Sequence, residues 1–338
     1  MIRRHFARLV LALSLAASTV ANFAQAEANA VRIGHGFGIL YLPLIVMRDQ
    51  HLIEKHAKAM GLGDVQTNWD VIDGANAVND AMLAGKIDVA GTGAPGFITL
   101  WSKAQGIPSA RVISLGALST APLWLNTNNP NIKSLGDFTA KDKIAVPAAG
   151  TSIQALVLEM AAAKTFGPEN YARLDSMTVM LSHPDAVNAL LSGKTEVTAH
   201  FASPPFSYQE LKDPKIRRVF NSTDLLGPIT LDVVSASKAF TDRNPKLTEA
   251  IMAAQEEANA YIRANQKGAA EIFLRVSKIK LSQDEVEKML ANPDTQFSTT
   301  PNGIMQYVMF MRRAGAIKNV PAKWSDLFMP ELASRNGS

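Results

Sequence analysis

Gly91-Thr92-Gly93-Ala94-Pro95-Gly96 has the G-x-G-x-x-G spacing with which backbone can cradle a pyrophosphate, between a strand-like and a helix-like segment. Two features count against dinucleotide chemistry. The run is not the first such turn of the chain, and the next strand-like segment, 111–118, ends without the acid that would hold a ribose. What remains is a tight turn, or a ligand-facing loop at the carboxyl end of a strand. A second such place is Ala149-Gly150-Thr151-Ser152, ahead of an alanine-rich helical segment. Thr151 or Ser152 can cap that helix, and a helix N-terminus with hydroxyls can also receive an anion. No P-loop lysine follows, which argues against ATP or GTP.

The histidines form no metal-ligand pattern. His51 and His56 are five apart, a poor spacing for ligation from one helix, and His183 sits at a turn before Pro184. His35 and His200 stand at strand ends, where each can hydrogen-bond a ligand or a neighbour. There is no HExxH and no GxSxG, and no Ser, His and Asp share local catalytic spacing. Nothing in these spacings points to catalysis, a cofactor or a metal, although a catalytic triad can be assembled in space from distant residues.

The elements that must position these residues alternate. Strand-like runs at 31–36, 65–72, 87–90 and 111–118 are interleaved with helix-like runs at 42–52, 75–84 and 96–105. A polar break at 126–131 follows, and the alternation restarts with strands at 143–146, 177–181 and 196–201 and helices at 152–165 and 184–191. An apolar strand spans 231–236. From Pro245 the chain turns helical, at 245–265, 268–276, from Ser282, and at 303–313. The pattern predicts α/β lobes with parallel-rich sheets.

One phrase occurs twice. Ala81-Met82-Leu83-Ala84-Gly85-Lys86-Ile87-Asp88-Val89-Ala90 leads to Ala94-Pro95-Gly96-Phe97. Later, Ala189-Leu190-Leu191-Ser192-Gly193-Lys194-Thr195-Glu196-Val197-Thr198 leads to Ser203-Pro204-Pro205-Phe206. Each copy reads as a helix end, a glycine stop, a strand and a Gly/Pro turn. Two such units imply two similar lobes with a cleft between them.

The N-terminus reads as an export signal: Arg3, Arg4 and Arg8, an apolar and small-residue run from Leu9 to Ala17, and a preferred cleavage site at Ala24-Gln25-Ala26, with Ala28-Asn29-Ala30 as a second. Removing 26 of the 338 residues leaves 312, enough for two domains. The whole chain carries 34 basic and 30 acidic residues. The signal holds three of the arginines, so the exported chain is 31 against 30, or +1. That balance, with no basic stripe, argues against a nucleic-acid partner. With no cysteine there is no disulfide, no thiolate metal site and no lipid-anchor cysteine. The expected location is the periplasm of a Gram-negative cell, as a monomer.

In order, these motifs resemble the nitrate/sulfonate/taurine group of ABC-transporter solute-binding proteins, in the superfamily that includes thiamine-pyrimidine synthase. Residues 31–44 resemble the group's opening strand and turn. Residues 73–97 resemble its helix, AGKIDVA strand and loop. Ile132-Lys133-Ser134-Leu135-Gly136-Asp137-Phe138 with 143–147 resembles its entry to the second lobe, 183–206 its second such segment, and 240–270 its long helix. The resemblance implies a type II periplasmic-binding-protein fold. Lobe 1 would comprise 27–120 and 235–338, and lobe 2 would comprise 121–234, with crossovers near 119–125 and 228–234. It implies capture of a small organic acid, sulfonate or carboxylate, by lobe closure and delivery to a membrane ABC permease. The alternative is a binder or enzyme of thiamine-pyrimidine-type heterocycles.

The binding site is expected from the first lobe at Phe37, Gly38, Ile39, Leu40, Gly74 and the Thr92, Gly93, Ala94, Pro95 loop, with Thr120 at the crossover. From the second it is expected at Gly150, Thr151 and Ser152 and at His200, Phe201 and Ser203. Members of the group often carry an acid or a tryptophan in the loop that here reads His200-Phe201-Ala202-Ser203-Pro204-Pro205, and these segments are poor in Lys and Arg. An anion would then rely on N–H groups and hydroxyls, and an amino group would lack its usual acidic partner.

Overall fold

The structure is a computed structural model that describes residues 26–338. The signal expected over 1–26 lies outside the described residues except for Ala26. Ten strands are described: β1 (Ala30–His35), β2 (Gln66–Val71), β3 (Val89–Gly93), β4 (Val112–Ser119), β5 (Trp124–Thr127), β6 (Lys143–Val146), β7 (Thr178–Met180), β8 (Val197–Ala202), β9 (Arg217–Asn221) and β10 (Asp232–Ser237). They form two five-stranded sheets of the same layout, β2-β1-β3-β10-β4 and β7-β6-β8-β5-β9. This is the two-lobed α/β arrangement read from the alternation.

In each sheet the fourth strand is the one that has just crossed between lobes. β5 arrives from the first lobe and runs antiparallel to β8 and β9, and β10 returns from the second and runs antiparallel to β3 and β4. The other strands of each sheet's first three positions are parallel. Parallel strands need helical connections that cover the sheet faces, which is why strands such as β3 read as apolar runs without alternation. The two copies of the doubled phrase form β3 and β8, the third strand of each sheet, with the helices Ala75–Leu83 and His183–Ser192 before them.

Two local expectations are corrected. The helix read over 42–52 is two, Leu42–Asp49 and Leu52–Ala59, separated at His51, whose φ of 51° is left-handed. The loop read at Thr92–Pro95 is absent. β3 runs on to Gly93 and the helix Ala94–Ala104 begins at the next residue. Pro95 fits there because the first turn of a helix has no intrahelical partner for its N–H.

The helical return packs on the first sheet. Ala250, Ile251, Ala254 and Ala258 form a buried stripe on the helix Pro245–Ala264, which packs on Leu42–Asp49 and Leu52–Ala59. The last helix, Ile304–Arg313, packs on Ala94–Ala104 and also reaches the second lobe. Its Phe310 meets Tyr171 edge-on with ring centres 6.0 Å apart, and the Tyr171 hydroxyl donates to the carbonyl of Ala314 at 3.3 Å. One apolar cluster runs from Phe97 through Val233 and Ile153 to Phe201, so the lobes are closed on each other.

Candidate functional site

The carboxyl ends of the parallel strands meet at the seam between the lobes, where open α/β sheets bind ligands. A small cavity lies there, with about 40 Å³ of enclosed space in this closed arrangement. The first lobe lines it with Phe37, Leu40, Tyr41, Asp73, Gly74, Thr92, Gly93 and Asp232. The second contributes Pro147, Ser152, Ile153, Gln154, His183 and Ser203. No lysine or arginine is among the lining residues.

Two aspartates give the site its charge. β10 starts at Asp232, in register with Gly93 at the end of β3 and Ser119 at the end of β4, so the returning strand delivers a carboxylate beside both strand ends. Asp232 is 2% exposed, and it accepts from the Tyr41 hydroxyl at 3.1 Å and the Ser119 hydroxyl at 3.3 Å. Burial pushes its pKa up to about 6; the two hydroxyls pull the other way, and the charge of Asp73 adds to the rise. Asp73 follows β2. Burial raises its pKa as well, against the backbone N–H groups of His183 and Gly74, and its Oδ2 is buried without a partner. Burial, then the neighbouring Asp232 and Asp73, hold the Tyr41 phenol far above its ordinary value, so it stays a donor. The Thr92 hydroxyl, also buried, has no partner in the protein.

The second lobe offers a helix N-terminus and a histidine pair. Ser152 caps the helix Ile153–Phe166, its hydroxyl oxygen accepting from the Ala155 N–H at 3.2 Å. The earlier N–H groups of that first turn have no intrahelical acceptor, and they sit where Ser152 and Ile153 line the cavity. His183 is buried, and burial, then the nearby His200, lowers its pKa well below the ordinary range, so the ring is neutral. His183 Nε2 lies 3.1 Å from Ser203 Oγ and 3.2 Å from Gln154 Nε2, and its Nδ1 lies 2.8 Å from His200 Nε2.

Of the residues expected to bind ligand, the structure brings Phe37, Leu40, Gly74, Thr92, Gly93, Ser152 and Ser203 to the cavity. The others lie elsewhere, each for a physical reason. Ile39 is fully buried in the first lobe's core. Ala94 and Pro95 form the first turn of their helix, Ala94 buried in the apolar core, its N–H donating to the Leu231 carbonyl at 2.8 Å. Thr120 bonds the carbonyl of Asp294 at 3.0 Å. Gly150 is exposed ahead of the helix cap. Thr151 turns to the other lobe, its hydroxyl donating to Asn76 at 2.9 Å. His200 and Phe201 lie within β8, which runs on to Ala202, rather than in a cavity loop. Phe201 packs edge-on against Phe220 at 5.8 Å, and His200 is wholly buried against His183 and Glu210.

Gly38 belongs to the seam rather than the cavity wall. Its φ is +100°, and a β-carbon there would stand 2.9 Å from the carbonyl oxygen of Pro204 in the other lobe. The next N–H, of Ile39, donates to that same carbonyl at 3.3 Å. Gly74, with φ +86°, faces the Pro147 carbonyl in the same way, at 3.2 Å. At both places only glycine allows the lobes this approach.

Asp73, Asp232, Tyr41, Gln154 and His183 also line the cavity, although none is among the residues expected from the sequence. Asp232 carried a signal, a lone acid in an otherwise apolar strand. Asp73 stood in the turn that pointed to Gly74. Among the described residues no group of three His, Asp or Glu could hold a metal ion, and no helix is long and apolar enough to cross a membrane.

Comparison with known proteins agrees with this architecture. Residues 24–276 match the model of the NMT1-like family. A search of curated proteins finds no match. Among solved structures, the alkanesulfonate-binding protein SsuA of Xanthomonas axonopodis pv. citri, bound to MOPS, is 19% identical with a TM-score of 0.67, over 87% of this chain and 96% of that one. The periplasmic nitrate-binding protein NrtA of Synechocystis PCC 6803 is 15% identical at TM-score 0.67, over 88% and 84%. A Candida albicans protein described as having the generic periplasmic binding protein fold is 14% identical at TM-score 0.67, over 86% and 92%. Identities this low speak to the fold, and the family match covers about three quarters of the sequence: this chain belongs to the NMT1-like family and has the fold of the periplasmic solute-binding proteins.

Proposed function

We propose that this protein is the solute-binding component of an ABC importer, exported to the periplasm. It would close its lobes on a small solute bearing a basic nitrogen and hand it to a membrane permease. The observation that carries this reading is the pairing of Asp73 and Asp232 in a cavity lined by no lysine or arginine. A protonated amine, amidine or aminopyrimidine would offset two carboxylates whose burial otherwise disfavours their charge. Phe37 and Tyr41 supply aromatic surface for a flat cation. This favours a thiamine-pyrimidine-type heterocycle over the organic acid expected from the sequence.

A second reading keeps the acid. The N-terminus of the helix Ile153–Phe166 lines the same cavity and would receive a sulfonate or carboxylate. Both groups on one molecule would make the ligand a zwitterion.

A thermal-shift screen of the mature protein, freed of carried-over ligand, separates these. 2-Methyl-4-aminopyrimidine, taurine and ethanesulfonate represent base, zwitterion and acid. A compound at a hundred times its Kd adds about 2.7 kcal/mol. The reading expects a clear shift with the aminopyrimidine and none with ethanesulfonate, and the reverse pattern would overturn it. Turnover of a screened compound, detected by mass spectrometry, would replace binding with an enzyme.

A further inference from the structure

Behind the cavity wall of the second lobe, a hydrogen-bonded chain of titratable groups runs inward from the seam. Ser203 and Gln154 meet His183 Nε2, His183 Nδ1 meets His200 Nε2, and His200 Nδ1 meets Glu210 Oε1. Glu210 Oε2 accepts from the Asn126 side-chain amide at 2.8 Å. His200, Glu210 and Asn126 are all fully buried. Nothing in the solute reading above uses the inner three residues.

The chain has a direction. An ionised carboxylate only accepts, so His200 Nδ1 carries a hydrogen towards Glu210. In the polarity proposed below, His200 holds only that hydrogen, so its Nε2 accepts from the Nδ1–H of the neutral His183 ring. His183 Nε2 is then bare too. The groups placed against it agree, because the Gln154 amide nitrogen and the Ser203 hydroxyl are both able to donate. Ser203 spends its hydrogen on His183 and turns its oxygen lone pairs to the cavity.

We propose that Glu210, through His200 and His183, is a positioning residue that sets hydrogen-bond polarity at the cavity. It makes the Ser203 face of the second lobe an acceptor, so that both lobes select a ligand by its donor groups. This rests on the reading of the cavity as the solute site. It adds a determinant on the lobe opposite the two aspartates, and one that never touches the ligand.

The test inverts the chain with one isosteric change. In Glu210→Gln the side-chain oxygen remains the acceptor for Asn126, and the new NH₂ group faces His200 Nδ1. That nitrogen must then accept, His200 Nε2–H donates to His183 Nδ1, and His183 Nε2–H faces Ser203, which frees the serine hydrogen for the ligand. Imidazole ¹⁵N spectra of the ligand-free protein read these hydrogens directly. The wild type is expected to show His183 and His200 both protonated at Nδ1 and bare at Nε2, and Glu210→Gln the reverse. Affinity for 2-methyl-4-aminopyrimidine should fall about tenfold in Glu210→Gln relative to 2-methyl-4-pyrimidinone, which presents a carbonyl where the first presents an amino group. A hydrogen on His183 Nε2 in the wild type would overturn the proposal, as would inverted spectra with unchanged preference between the two compounds. If Glu210→Gln does not fold, the wild-type spectra decide the polarity. Ser203→Ala, which removes only the cavity end, should then lower the aminopyrimidine preference, and an unchanged preference would overturn the proposal. If neither compound binds the wild type, the acidic-cavity reading fails by itself. The relay then stands on a bare His183 Nε2 and falls on a protonated one.

Discussion

Asp232 and Trp124 occupy the same place in the two lobes. Each begins the strand that has just crossed, and each pairs with the last residue of the third strand, Asp232 with Gly93 and Trp124 with Ala202. In the first lobe this position delivers a carboxylate to the cavity. In the second it delivers an indole, packed on Tyr208 with ring centres 4.4 Å apart and under the Arg218 guanidinium. The ends of β3 and β8 differ to match. Thr92 and Gly93 are small and open onto the cavity, whereas His200 and Phe201 are wholly enclosed. Duplicated architecture thus leaves each lobe free to specialise: one carries charge at its strand ends, the other hides a polar chain behind its wall.

The sharpest way to break this contrast is at Phe201. If it is core rather than ligand surface, Phe201→Ala should cost about 3–5 kcal/mol in denaturant unfolding. The fraction that folds should bind as the wild type does. A small stability loss with lost binding would return Phe201 to the site.

The charged lobe makes the next largest prediction. Asp232 is held with a pKa of about 6, above its ordinary value, so the folded protein binds its proton more tightly than the unfolded chain. Its favourable contribution is fully present below about pH 4 and is lost as pH rises through about 6. Asp232→Asn should therefore stabilise the ligand-free protein over wild type at pH 7.5, by up to about 3 kcal/mol, and the difference should shrink as pH falls towards 4. Comparing variant with wild type at each pH cancels the opposite trend of buried His183. A difference independent of pH would place the charge elsewhere.

The seam gives the smallest effect. Gly38→Ala adds a β-carbon against the Pro204 carbonyl at a backbone conformation that favours glycine. It should weaken solute affinity about tenfold by opposing closure, with little change in the unfolding of the separate lobes. Unchanged affinity would mean that binding does not need this contact.

Much of the scaffold was legible in the sequence, because strand and helix periodicities differ and the doubled phrase marked equivalent strands. The strand ends were not. A residue's side reverses with each position of a strand, and His200 and Phe201 fall in the interior because β8 runs on to Ala202 between β6 and β5, the strand that has just crossed from the first lobe. Asp232 was visible as a lone acid among apolar neighbours, but its partnership with Tyr41 joins residues 191 apart. Glu210 was silent, since nothing local ties a glutamate on the short helix Phe206–Glu210 to a histidine on β8.

The central claim, that the carboxylates of the first lobe hold a basic solute, is tested most directly by calorimetric titration of 2-methyl-4-aminopyrimidine into wild type and Asp232→Asn at pH 7.5. The account predicts measurable binding by wild type and a loss of about thirtyfold or more in the variant, the scale for truncating one partner of a buried charge pair. Equal or tighter binding by Asp232→Asn would contradict it.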